Sequence, residues 1–83
     1  MSQKHKLYKR LIAGKSLTFR EFCRLIEAFG FVLDRTNGSH HIYLRPGVAE
    51  QINVQPVGKA AKPYQIRQFL AIVETYRLTL DDA

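Results

Sequence analysis

Two hydrophobic periods divide the chain. Phe22, Leu25, Ile26 and Phe29 recur at i, i+3, i+4 and i+7, the spacing of one face of an α-helix. Thr18, with Glu21 three residues on, reads as a capping box at the start of this helix. The hydroxyl accepts an orphan N–H, and the carboxylate reaches back to the cap. Gly30 falls where a left-handed residue closes a helix. Upstream, Leu7, Leu11 and Ile12 predict a short helix over 6–13, ended by Gly14. Downstream, Ile66, Phe69, Leu70, Val73 and Tyr76 repeat the helical spacing. Pro63 suits the first turn of that helix, where its missing N–H costs nothing.

Between the two main helices the period falls to two. Residues 31–36 alternate, with Phe31, Leu33 and Arg35 on one side and Val32, Asp34 and Thr36 on the other. Asn37-Gly38 then predicts a hairpin through a type I′ turn, which needs positive φ at both central residues. Residues 39–45 return as a second strand. Its alternation separates His40, Ile42 and Leu44 from His41, Tyr43 and Arg45. Pro46-Gly47 ends it. Residues 51–57 form a third predicted strand, with Ile52 and Val54 inward and Pro56 at a frayed or edge position. Residues 58–62 read as a loop. The fold class expected is α+β: an extra short helix, then α-β-β-β-α, with a three-stranded antiparallel sheet covered by helices on one face. The open face is expected to show His41, Tyr43, Arg45, Asn53 and Gln55. Residues 1–15 form a basic N-terminal arm or short helix, 16–80 a single domain and 81–83 a frayed tail.

Composition narrows the function. At 83 residues and 46% hydrophobic, the chain supports one core and one domain. Its formal net charge of +6 suits a polyanion such as nucleic acid. The surplus is uneven: the first 15 residues hold Lys4, Lys6, Lys9, Arg10 and Lys15 and no acid. The longest apolar run, Phe69 to Val73, is far below the roughly 20 residues of a membrane-spanning helix. No apolar run follows the N-terminus, so a secretory signal is not expected, and the predicted location is the cytoplasm. The single cysteine, Cys23, can form no internal disulfide and no zinc finger. Beside Phe22 and Ile26 it reads as an inert helical residue rather than a nucleophile.

Candidate chemistry gathers at two places. His40 and His41 follow the predicted turn, whereas His5 lies in the basic arm. Neighbours on a strand point to opposite faces, so the pair is poorly placed to chelate one metal. No Asp, Glu or Cys cluster lies nearby, so neither a metal nor another cofactor is expected. A histidine does titrate near neutral pH without special tuning. In RNA cleavage a base takes the 2′-OH proton and an acid protonates the leaving 5′ oxygen, chemistry that needs no metal. The bland alternative is that His40 is a satisfied strand residue and His41 a surface one. The second place is the loop before the last helix. Lys59 and Lys62 lead into a helix N-terminus that favours phosphate, and Tyr64 could stack on a base. A solvated loop is the competing reading. No nucleophile elbow with Ser, His and Asp is present, and Gly58-Lys59 lacks the P-loop pattern.

Gly30-Phe31 followed by Asn37-Gly38-Ser39-His40-His41-Ile42-Tyr43 resembles the HicA (YcfA-like) toxin family. The later segment Ile52-Asn53-Val54-Gln55-Pro56, then Gly58 through Gln68, is similar to one branch of it. The resemblance runs from about residue 17 to residue 80. It implies a fold like a double-stranded-RNA-binding domain and the toxin of a type II toxin–antitoxin pair. It also implies a metal-free endoribonuclease, an mRNA interferase whose catalytic histidine directly follows Gly-Ser, which here is His40. The implied partners are an mRNA substrate and a HicB-like antitoxin that covers His40. Gly38, Ser39, His41, Tyr43, Arg45, Lys59, Lys62, Tyr64 and Arg67 are the candidate RNA contacts. Two departures stand out. Many members carry a further histidine where this chain has Gln55-Pro56-Val57, and members tend to lack the basic arm.

Two other functions compete with the nuclease. A non-catalytic RNA-binding module would bind tightly and salt-dependently without cleaving. A DNA-binding or pure interaction domain is weakened by the three strands that separate the main helices, which leave no helix-turn-helix pair.

Overall fold

A computed structural model describes residues 3–80, so the tail expected at 81–83 lies outside the described residues. Helix α1 spans Gln3–Ile12, α2 spans Phe19–Ala28 and α3 spans Pro63–Thr75. Strands β1 (Val32–Asn37), β2 (His40–Leu44) and β3 (Ile52–Val54) form an antiparallel sheet in the order β1-β2-β3. Two short strands, β4 (Pro56–Val57) and β5 (Ala60–Ala61), make a separate hairpin. The architecture is the α+β arrangement that the hydrophobic pattern predicts, three helices and a three-stranded antiparallel sheet.

Local chemistry sets the helix ends. The capping box forms: Glu21 N–H donates to Thr18 Oγ1 at 3.1 Å, and Thr18 N–H donates to Glu21 Oε1 at 3.0 Å. Arg10 reaches over from α1 and pairs with the other oxygen of Glu21 at 3.0 Å. The three helices close alike. Beyond α2, Gly30 N–H donates to Glu27 O and Phe31 N–H to Ile26 O. Gly14 and Lys15 do the same for α1, and Arg77 and Leu78 for α3. These paired bonds satisfy carbonyls that the helix itself leaves open.

The core joins all three helices to one face of the sheet. Phe69 of α3 sits at its centre, with edge-on ring contacts to Phe22 at 5.6 Å, Phe29 at 5.5 Å and Phe31 at 6.2 Å. Each such contact adds about 0.5–1.5 kcal/mol beyond burial. Leu7 and Leu11 of α1 are buried in the same cluster, and Tyr8 meets Phe29 edge-on. The basic segment is therefore docked. Ile12, expected beside them, is 61% exposed because a 100° step per residue carries it past the buried edge. On α3 the buried residues are Gln65, Phe69, Ile72 and Val73, with Ile66, Leu70 and Tyr76 on the flank.

The sheet departs from expectation in three ways. The β1–β2 turn is Gly38-Ser39, because Asn37 pairs with His40 and does not take positive φ. Only Gly38 does, at 63°. A turn with positive φ at its first central residue alone needs one glycine, not the Asn-Gly pair. Second, the faces of β2 are reversed. His41 pairs with Val54 and Tyr43 with Ile52, and both β3 residues are buried against the helices. His41 and Tyr43 therefore point inward, while His40 and Ile42 share the open face with Asn53. Third, the expected strand over 51–57 breaks at Gln55. The Gln55 N–H donates to Gln65 Oε1 at 3.0 Å, and Pro56 begins the second hairpin, paired with Ala61. The predicted loop over 58–62 thus contains β5. That strand is held to the α1–α2 connection, with Phe19 N–H donating to Lys59 O at 2.8 Å and Ala61 N–H to Leu17 O at 3.3 Å.

Strand β1 is one edge of the sheet and is exposed along its whole length. A register shift between Leu33 and Arg35 leaves Asp34 without a cross-strand partner. Leu33 therefore sits opposite Tyr43 and Arg35 opposite Ile42, on different faces despite their spacing of two.

Candidate functional site

The tight Gly38-Ser39 turn delivers His40 to the first position of β2, half-buried on the open face. Asn53 lies on the next strand, directly across from Ile42 and diagonal to His40. Its Oδ1 stands 2.9 Å from His40 Nδ1. An amide oxygen can only accept, so Nδ1 carries the proton in this bond. Nε2, the other ring nitrogen, makes no hydrogen bond to the described residues. In the neutral ring Nε2 then holds the lone pair, which makes it the nitrogen able to take a proton.

The sheet sends the neighbouring candidates elsewhere. His41 lies on the helix side, its ring edge-on to Phe19 at 5.1 Å and its Nδ1 3.2 Å from Ser39 O. Tyr43 is only 2% exposed, and its hydroxyl donates to Glu27 Oε2 at 3.3 Å. Burial, with Cys23 and Glu27 beside it, pushes its pKa well up. Arg45 donates from Nε to Phe29 O at 2.9 Å and from a terminal nitrogen to Pro46 O at 3.1 Å. It caps the C-terminal end of α2, where a cation also suits the helix dipole. Tyr43 and Arg45 were expected on an open, RNA-facing surface; the register turns one into the core and commits the other to a helix end. Cys23 is half-buried, and burial pushes its thiol up, in keeping with an inert residue.

The second candidate place stays on the surface. Lys59 occupies the exposed β4–β5 turn, and Lys62 is the N-cap of α3, with Pro63 in the first turn. The cap makes no side-chain hydrogen bond. Lys62 Nζ lies 5.9 Å from the centre of the Tyr64 ring, and Tyr64 is 54% exposed. Arg67 follows one turn later, also exposed. Gln65 ties this place to the sheet. It is the one buried polar side chain among the described residues, 3% exposed. Its Oε1 accepts the Gln55 N–H and its Nε2 donates to the Tyr64 hydroxyl at 3.3 Å. The end of β3, two residues past Asn53, is thereby fixed against the start of α3.

Residues 19–74 match the family described as HicA toxin of bacterial toxin-antitoxin. The chain belongs to the HicA toxin family. As a HicA toxin it is the toxin of a toxin–antitoxin system, and membership implies an antitoxin partner. The matched segment contains His40, Asn53, Lys59, Lys62, Tyr64 and Arg67, and it leaves α1 outside. No curated protein and no solved structure matches the chain.

Among the described residues of this HicA toxin, no group of three or more His, Cys, Asp or Glu could hold a metal ion. No described helix is long and apolar enough to cross a membrane. Sequence reasoning placed Asn53 on the open face but missed it, and Gln65, as site residues. Asn53 had one local signal, a polar residue between two buried strand positions. Gln65 had none, since its partners lie on other elements.

Proposed function

We propose that this HicA toxin is an endoribonuclease that cuts mRNA with His40 as the proton-transfer group. The observation that carries the reading is the placement of His40: on the open sheet face, directly after the turn, with Nε2 uncommitted. In this reaction Nε2 takes the proton of a ribose 2′-OH as that oxygen attacks the adjacent phosphorus. The bond from phosphorus to the 5′ oxygen breaks, leaving a 2′,3′-cyclic phosphate on one fragment. One proton returns to the departing 5′ oxygen, so the step consumes no water. No metal enters it. Lys59, Lys62 and Arg67 supply positive charge for the strand, Tyr64 an exposed ring on which a base can stack, and Gly38 and Ser39 a turn close to the cut. A HicB-like antitoxin that lies over the open face masks His40 and silences the toxin in the cytoplasm.

A general acid or base of this kind contributes about 10²–10⁴ in rate. Induced expression of the wild type is expected to arrest growth and to deplete mRNA. His40→Ala, folded and expressed to the same level, is expected to do neither. Purified wild type is expected to cleave a transcript in the presence of EDTA. If His40→Ala arrests growth and degrades mRNA as the wild type does, the assignment fails. If the wild type binds the transcript without cutting it, the chain is an RNA-binding module instead.

A further inference from the structure

We infer that Asn53 is a positioning residue that selects which nitrogen of His40 reacts. The inference rests on the reading of His40 as the proton-transfer group. Asn53 projects from β3 onto the same open face as His40, and its Oδ1 lies 2.9 Å from Nδ1. That oxygen has no proton to give. It therefore favours the tautomer with hydrogen on Nδ1 and holds the ring plane, leaving the lone pair on Nε2. After Nε2 takes a proton, both ring nitrogens are donors, and the bond from Nδ1 to Asn53 persists and supports the cation. One amide thus serves the ring before and after the transfer.

The placement of Asn53 follows from the break in β3. The Gln55 N–H leaves the sheet for Gln65, and β3 ends at Val54, so Asn53 is held by its pairing with Ile42 on one side and by the Gln65 tie on the other. Asn53 is half-buried, and among the described residues its side chain meets the histidine 13 residues back along the chain. On the open face Arg35 stands across from Ile42, and it is paired with Asp34. The adjacent His41 points to the other face. These groups are common to all Asn53 variants, so they displace every pH profile equally.

The test is single-turnover cleavage of an mRNA transcript in EDTA, followed across pH, for the wild type and for Asn53→Leu, Asn53→Asp and His40→Ala. A general base works only in its neutral form, so the rate is expected to fall on the acid side. Asn53→Leu removes the acceptor and is expected to slow cleavage roughly tenfold to a hundredfold, inside the range of about 10²–10⁴ that the histidine itself supplies. Asn53→Asp is nearly isosteric and still accepts from Nδ1, but its charge favours the imidazolium. The acid limb is expected to move to higher pH by roughly one unit, with the rate on the high-pH plateau kept close to wild type. A residue that only held the strand in place would give no such split between the two variants, with the rate lost in Asn53→Leu and kept in Asn53→Asp. If the Asn53→Asp limb coincides with that of the wild type, the positioning role is overturned, provided His40→Ala is inactive. If His40→Ala cleaves as well as the wild type, the underlying reading falls first. Should Asn53→Leu fail to fold by circular dichroism, the Asn53→Asp limb alone decides.

Discussion

Leu7→Ala asks whether the basic first helix belongs to the domain or trails from it. Leu7 is 2% exposed and sits in the core cluster with Leu11, Phe22 and Phe29. Removing a buried leucine side chain costs about 2.7–5 kcal/mol, depending on how far the site collapses. At about 0.05–0.15 kcal/mol per residue, a domain of 83 residues has roughly 4–12 kcal/mol in total. The substitution therefore takes at least about a fifth of the stability and, where the total is smallest, most or all of it. With a urea slope of about 1–1.5 kcal/mol per molar, the midpoint should fall by roughly 2–5 M. Ile12→Ala is the matched control. It removes an aliphatic side chain from the same helix, but Ile12 is 61% exposed, so the expected change is within about 0.5 kcal/mol. Far-UV circular dichroism in urea, with the slope compared between variants, measures both. If the two substitutions lower the midpoint equally little, α1 does not form part of the core. Lys4, Lys6, Lys9 and Arg10 would then belong to a loose arm instead of a fixed basic surface.

Three further outcomes follow from particular contacts. Gln65→Leu leaves the Gln55 N–H without its acceptor and should cost about 1–3 kcal/mol in urea unfolding, with faster amide exchange at Gln55. Gly30→Ala should destabilise more than Gly38→Ala. Both positions have positive φ, which costs an L-residue about 1–2 kcal/mol. A Cβ at Gly30 also meets Arg45 Nε at 3.0 Å and threatens its bond to Phe29 O, whereas the space at Gly38 is open. Thermal midpoints of the two variants should therefore separate, and coincident midpoints would remove the helix-capping role of Arg45. Glu21 is held below its ordinary pKa of 4.5, first by the Thr18 N–H and then by Arg10. A lowered folded value means that its contribution is full above the ordinary value and is lost as pH falls through the folded one. Urea midpoints should thus decline from about pH 5 towards about pH 3, and Glu21→Gln should flatten that decline.

The parts of this fold that are legible in the sequence are those decided within one turn of the chain. Thr18 and Glu21 announce their helix because both halves of the capping box are local. Phe22, Leu25, Ile26 and Phe29 announce its buried face because the stripe is continuous. The reversed faces of β2 show where this stops. Alternation sorts His40 and Ile42 from His41 and Tyr43, but Ile42 and Tyr43 are both apolar and both end up buried, at 6% and 2% exposed. Only pairing with Ile52 and Val54 decides which set meets the helices. The same limit hid the second hairpin. Pro56 marked a weak place in a strand, yet the new partner, Ala61, lies across a turn that reads as loop. At the candidate site, the position of His40 directly after a turn was legible, but its face was not. The contacts of Asn53 and Gln65 were not legible either, because their partners are His40 on another strand and Gln55 across the layer.

The edge of the sheet bears on how the free toxin behaves in crowded solution. Strand β1 offers a row of backbone groups, with Val32 and Leu33 at 66% and 42% exposed, the kind of border along which sheets from separate molecules can join. The single unpaired residue at Asp34 breaks the repeat halfway along, and the ion pair between Asp34 and Arg35 puts two charges at the break. A visiting strand could keep register for only two or three residues on either side before its bonds fell out of step. The same irregularity that turns Leu33 and Arg35 to different faces thus acts as a brake on intermolecular growth, and straightening it by deleting Asp34 should shorten the time the protein remains dispersed at high concentration.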